Sequence, residues 1–344
     1  MEDKYAPLGG QAVIEGVMMR SPDALAVAVR KPSNKEIILE IVPVSKNKFA
    51  GLGKIPFFRG IVALIQSMQV GIWALNLSGD IYMKDAEEAE KAGITINEDT
   101  SGIMGDSKIS RFEKVSEASE KSEGLLESVG GIISIVISLL ITIGLFMVLP
   151  ASIFTWLKKS VDNTLVLNLI EGSVRLSLFI GYILLISMLK DVRRLFEYHG
   201  AEHKTIHNYE SGDELTIANS RKFSAIHPRC GTNFLFLTAL TSIVLFSFLD
   251  RDMSLVQRVI SKLALLPFVA GISYELIRIA GQIKNKPDNL LVRFAYFLST
   301  PGMLMQKITT REPDDSQLEV ALVSLKATLN NKSFEAKAFQ ESLI

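Results

Sequence analysis

Apolar and charged stretches alternate along the chain in long blocks, and the longest apolar block, 128–157, runs thirty residues without a charge. A helix needs roughly 20 residues to cross the hydrocarbon of a bilayer, so this block is long enough to span. Three further blocks follow at 165–189, 231–249 and 256–283. The first of these carries Glu171 and Arg175 in an i, i+4 relation that lets them pair on one helix face, and the last centres on LALLPFVAGISY before it meets Glu275 and Arg278. The pattern predicts a mainly α-helical integral membrane protein with about four transmembrane helices, interfacial helices and a small N-terminal β unit.

The β unit is expected over 1–54, where ALAVAVRK and IILEIVPV read as strands separated by the turn-forming Pro32-Ser33-Asn34, with Gly9, Gly10, Gly16, Gly51 and Gly53 at its bends. Residues 55–82 are apolar but interrupted by Arg59, Gln66, Gln69, Asn76 and Asp80, which suits an interfacial or re-entrant helix. Residues 83–127, rich in Lys, Glu, Ser and Asp, read as a flexible charged linker. The transmembrane domain, 128–310, includes a His-rich segment at 190–230 and ends in LVRFAYFLSTPGMLMQ, expected to lie on the membrane surface and to break at Pro301-Gly302. The tail, 311–344, is an amphipathic helix on which Ser316 and Glu319 form a capping box and Leu318, Leu322, Leu325 and Leu329 form one stripe, to be packed on the β unit or otherwise on a partner.

Charge refines this picture. Lys and Arg number 37 against 37 Asp and Glu, so no basic field exists for nucleic acid. The opening MEDKYAPLGG lacks the charged start and apolar core of a signal peptide, and a single cysteine cannot form an internal disulfide; both point to a cytoplasmic N-terminus. Seven Lys or Arg lie in 190–230, against two in 158–164 and one in 250–255, so the positive-inside rule puts the His-rich segment, and with it both termini, in the cytoplasm.

That segment is where chemistry concentrates. All four histidines and the one cysteine of the chain fall between His199 and Cys230. His199, His203 and His207 are each four apart, so on a helix they stay within an arc of roughly 80°. His199-Gly-Ala-Glu202-His203 also matches H-x-x-E-H, in which two histidines hold zinc and the glutamate is the general base. Pro228 keeps His227 out of helical geometry and lets it and Cys230 face the same membrane-proximal pocket. Glu275 ends on the same side of the membrane and is eligible as a ligand; Glu171, at the outer end of its span, is not. The candidate ligands are therefore His199, His203, His207, His227, Cys230 and Glu275, with Glu202 as catalytic base and zinc as the ion that nitrogen-rich sites suit, another divalent metal being the alternative. The plainer reading has the histidines bonded to Glu197, Glu202, Glu210 or lipid phosphate, Cys230 as a small buried group, Glu275 paired with Arg278 and Glu15 as a turn carboxylate.

GGQAVIEGVMMR, YHGAEHKTIHNYE, HPRCGTNFLF, LPFVAGISYELIR and PGMLMQKITTREPDDSQLEVAL together resemble the bacterial YqhQ family, membrane proteins of unknown function described as predicted metal-dependent enzymes. The resemblance runs from Leu8 to about Leu325; Asn233 stands where serine is expected and Ser21 where glycine is expected. It implies a multi-pass protein of the bacterial cytoplasmic membrane and supplies no reaction. Two functions follow as expectations: a metal-dependent hydrolase acting at the cytoplasmic face on a lipid or membrane-associated substrate, and a scaffold that binds a partner through the β unit and tail. A transporter is weaker, because Glu171, Arg175 and Glu275 are the ionisable groups noted in the spans.

Overall fold

The computed structural model describes residues 8–44, 51, 55–93, 109–111, 125–250, 252–283 and 286–330. Four antiparallel strands, Gly9–Val13 (β1), Gly16–Arg20 (β2), Ala24–Arg30 (β3) and Ile37–Pro43 (β4), form a meander, and Ile109–Arg111 (β5) joins β4 in parallel, giving the order β1-β2-β3-β4-β5. The expected pair is β3 and β4. The hairpin β1–β2 occupies GGQAVIEGVMMR, read beforehand as bends, because its two-residue turn at Ile14-Glu15 puts Glu15 at φ 51 without a glycine or asparagine to announce it.

Every residue of β3 is buried, which explains the unbroken apolar run ALAVAV before Arg30. Side chains alternate across a strand, and here both faces are covered. Val17, Met19, Ala26, Ala28 and Leu39 pack with Leu318, Leu322 and Leu325, while Val13, Met18, Leu25, Val27 and Val29 pack with Ala74 and Ile81. The first covering helix is Asp315–Leu329 and the second is Phe58–Lys91.

Phe58–Lys91 (α1) is followed by Leu125–Ile143 (α2), a π-helical turn at Gly144–Val148 and Leu149–Leu157 (α3). Thr164–Ile186 (α4), capped by Asn163, leads through three residues into Lys190–Ser211 (α5), and a single turn, Ile217–Ser220, forms α6. Gly231–Phe246 (α7), Leu255–Ala280 (α8), Leu290–Thr309 (α9) and Asp315–Leu329 (α10) complete the chain. Among the described residues, four helices are long and apolar enough to cross a membrane: α1, the Val136–Leu157 stretch, α4 and α8. The expected span at 231–249 contains only the 16-residue α7, and α1 takes its place by length and composition.

Several boundaries need correction. The expected linker begins too early, because α1 continues to Lys91 and 109–111 is a strand; 94–108 and 112–124 lie outside the described residues. Pro301 does not break its segment, since α9 runs through it as one helix. The capping box of α10 sits two residues earlier than Ser316: the Asp314 carboxylate accepts from Gln317 N–H and the Gln317 side chain accepts from Asp314 N–H. Glu319 instead pairs with Arg30 at 2.6 Å. The leucine stripe packs on the sheet, as expected for it; 331–344 lie outside the described residues.

At the far end of the helical domain from α5, the Glu171–Arg175 pair proves to be part of a larger group. Lys262 and Arg258, from the first two turns of α8, also reach the Glu171 carboxylate; Arg258 further donates to Asn168 Oδ1 at 2.7 Å and stacks on the Phe154 ring. Glu171, Arg258 and Lys262 are each at most 3% exposed. Burying these cations and their carboxylate together keeps each charge partnered, which a lone buried charge could not be.

Candidate metal centre

Helix α5 is two-sided. Tyr198, Ala201 and Ile206 face the core shared with α10 and the sheet, so His199, His203 and His207 turn towards the loop 221–230 and the end of α9. Glu15, at the β1–β2 turn, holds α5 to the sheet through both donors of Arg194 and the Tyr198 hydroxyl at 3.2 Å. Gly200 meets the Arg311 carbonyl so closely that a Cβ could not fit there, and Arg311 N–H donates to Phe196 O at 2.9 Å, which seats the segment after α9 across the helix.

The histidine rings are oriented by backbone carbonyls. His199 donates its Nδ1 proton to Thr309 O at 2.8 Å, and His203 donates its own to Ala225 O at 2.5 Å. A carbonyl only accepts, so each ring must carry hydrogen on Nδ1 and present Nε2 as an acceptor, the tautomer that a metal-binding imidazole uses. The Cys230 Sγ lies 3.3 Å from His199 Nε2. One ligand atom from each of His199, His203 and Cys230 lies within 4.8 Å of the other two. Burial lowers the His203 pKa, Cys230 acting in the opposite sense, and this keeps the ring a neutral donor. Cys230 is also the N-cap of α7, where Thr232 N–H points at Sγ from 3.4 Å, so an anionic sulfur would face the positive end of that helix.

His207, Glu210 and His227 form a second group with the same spacing criterion, but their atoms are otherwise committed. Arg229 N–H donates to His227 Nδ1 at 3.3 Å, so the His227 proton is on Nε2 and is donated to Glu210 Oε1, also at 3.3 Å. The Glu210 carboxylate is shared with the Arg229 guanidinium, and His207 gives its Nε2 proton to Ile226 O at 2.9 Å. Both nitrogens of His227 are thus tied to a carboxylate and a backbone N–H, whereas His199 and His203 each spend one nitrogen on a carbonyl and are hydrogen-bonded to Cys230. Burial lowers the His227 pKa, with Glu210 opposing.

Glu202 lies at the edge of the first group. It is 5% exposed, its side chain packs on Gly10 of β1, and among the described residues no hydrogen bond reaches its carboxyl. Burial raises its pKa to about 7, with His199 pulling the other way. Three protein ligands of nitrogen and sulfur suit a divalent ion and leave a coordination position open, and Glu202 is the carboxyl next in sequence to His203 that feels His199.

Of the six expected ligands, the structure brings His199, His203 and Cys230 together, sets His207 and His227 apart with Glu210, and leaves Glu275 out of both groups. The Glu275 carboxylate is held by the Arg59 guanidinium and by Phe57 N–H at 3.1 Å, with Arg278 at 3.9 Å; Arg59 comes from the start of α1, whose approach to α8 has no local sequence signal. One positioning residue has no counterpart in the sequence reading. Gln306 brackets the His227 backbone, accepting from its N–H at 2.8 Å and donating to its carbonyl at 2.9 Å; a glutamine in the apolar run PGMLMQ is the available signal. Glu210, expected as a histidine partner in the plainer reading, stands three after His207 and accepts from His227.

Comparisons with known proteins show the family to which the chain belongs. A family model described as a protein of unknown function (DUF1385) matches residues 55–331, beginning just after the four antiparallel strands. The uncharacterized protein YqhQ of Bacillus subtilis (strain 168) is 30% identical over 321 residues, which is 93% of this chain and 92% of that protein. No solved structure matches the chain.

Proposed function

We propose that this chain, which belongs to the DUF1385 family of proteins of unknown function, is a metal-dependent hydrolase with His199, His203 and Cys230 as ligands and Glu202 as general base. The observation that supports the reading is the pair of Nδ1-to-carbonyl hydrogen bonds, which leave Nε2 of His199 and His203 as acceptors, together with ligand atoms of both rings and Cys230 lying within 4.8 Å of one another. Zinc is the ion that this nitrogen and sulfur set suits. When bound, it supplies Lewis acidity to an oxygen of the substrate or of water. Glu202 would take the proton from the attacking water and return it to the leaving group, work for which a carboxyl titrating at about 7 is matched.

Cys230 caps an apolar helix, and α5 begins three residues after a membrane-long one, which supports a position for the group at the bilayer boundary. A lipid or membrane-associated substrate at the cytoplasmic face is the substrate class this position favours. The scaffold reading loses one of its two surfaces, because the leucine stripe of α10 is spent against the sheet.

Elemental analysis of the purified protein tests the centre. Close to one zinc per chain is expected, lost in His203→Ala and retained in His207→Ala. A metal-free protein, or one indifferent to His203→Ala, would refute it. Incubating the protein with total membrane lipid and following products by mass spectrometry tests the reaction, with Glu202→Gln expected to keep the metal and lose turnover.

A further inference from the structure

Helix α1 has the length and composition of a membrane span, yet the sheet on both sides of it in sequence forbids a crossing. Strand β4 precedes α1 and β5 follows it, and the two are hydrogen-bonded neighbours through Ile37↔Ile109, Ile38↔Ser110 and Leu39↔Arg111. A chain that leaves a sheet and returns to it must cross the bilayer an even number of times. Among the described residues α1 is the one helix between these strands, and neither flanking stretch of sequence carries the apolar run of roughly 20 residues that a second crossing needs. The same parity holds further along: α5 packs on β1 and β2, and the Leu125–Leu157 helix and α4 already provide one passage out and one back.

What α1 does is visible from its two faces. Gly71, Ala74, Ser78, Ile81, Asp85 and Ala89 are buried on one side. Ser78 Oγ accepts from Ile14 N–H at 3.2 Å and Asp85 accepts from Ser33 N–H at 2.9 Å, so this side is fixed to the sheet. On the opposite side Phe58, Ile65, Met68, Ile72 and Met83 are 47–63% exposed and, at 100° per residue, fall within an arc of roughly 80°. Trp73 and Tyr82 flank that arc on its two sides, roughly 180° apart, the amphipathic side chains that a membrane–water boundary enriches. The exposed face continues onto a spanning helix: Phe57 packs on Phe268 of α8 with ring centroids 5.3 Å apart, and the Arg59–Glu275 ion pair ties the same end to the last turns of α8, whose Ile260, Leu263 and Leu266 are also exposed.

We propose that α1 lies along the bilayer surface, with its sheet-facing stripe holding the β unit and its Phe58–Met83 face seated in lipid at the boundary between headgroups and acyl chains. The helix is apolar on two opposite sides because it is the layer between the sheet and the membrane.

Tryptophan depth tests this directly, since Trp73 and the exposed Trp156 are the two tryptophans of the chain. Full-length Trp156→Phe protein is reconstituted in phosphatidylcholine vesicles brominated either near the headgroup or near the chain terminus. The expected result is a larger loss of Trp73 fluorescence with the headgroup-proximal bromines. A second variant, Trp73→Phe/Tyr82→Trp/Trp156→Phe, should give the same depth. A crossing helix would separate positions 73 and 82 by roughly 13 Å along the normal. Deepest quenching by chain-terminal bromines, or unequal depths at the two positions, overturns the proposal in favour of a span. No quenching by either lipid overturns it in favour of a protein partner or a second copy on that face.

Discussion

His203 gives its Nδ1 proton to a backbone carbonyl, and that one bond decides which nitrogen faces Cys230. Removing a ligand should therefore matter far more than removing a neighbour, with His203→Ala or Cys230→Ala lowering metal affinity by more than the 10- to 100-fold typical of lost supporting contacts. Gln306→Ala, which frees the His227 backbone, should fall within that smaller range; a competition titration with a chelator ranks the three. Glu202 has a pH signature of its own. In metal-free protein its folded pKa is about 7 against an ordinary 4.5, so the folded state keeps a proton that the unfolded chain releases between those values. Stability is then lost as pH rises from about 4.5 to about 7, by at most about 3 kcal/mol at roughly 1.4 kcal/mol per unit. Glu202→Gln should flatten that slope in a plot of Tm against pH, and parallel curves for the two proteins would count against a buried, protonated carboxyl. Gly10→Ala should disturb the same group from the sheet side, because a Cβ there would stand 2.6 Å from Glu202 Cγ; turnover should fall while zinc content holds.

Among the elements, α10 was legible because Leu318, Leu322 and Leu325 recur at helical spacing, and β3 because an apolar run of six between turns is too short for a buried helix and reads as a covered strand. Leu322, fully buried between sheet and helix, should cost 2–5 kcal/mol when cut to alanine, read as a shift in denaturation midpoint. The β1–β2 hairpin was hidden because Glu15, not glycine, takes the positive φ, and what justifies that strain is its salt link to Arg194. The site was legible only as a set of residue types. Spacing on α5 brought His199, His203 and His207 to one face, yet which of them shares a centre with Cys230 depends on carbonyls of Ala225, Ile226 and Thr309, and no side-chain pattern announces a carbonyl. Glu275 was misassigned for a related reason: its partner Arg59 lies 216 residues away.

For the molecule as a whole, the two ends of the helical domain carry different chemistry. One end holds the histidines; the other holds Glu171 amid Arg175, Arg258 and Lys262, where α4 meets α8. Glu171→Gln leaves three cations without their shared counter-charge and should destabilise the protein by about 3–5 kcal/mol, measured as lost thermal stability in detergent. The histidine end has a dependence of another kind. His199 takes its orientation from the carbonyl of Thr309, and the His227 backbone is clamped by Gln306; both belong to α9, whose Leu290, Leu291, Phe294, Phe297 and Leu304 side chains are turned outward. In the proposed centre the ring-aligning groups thus ride on a helix whose outward face is apolar and answers to its solvent, so swapping a native-thickness nanodisc for short-chain micelles should slacken zinc retention with no change in amino-acid sequence.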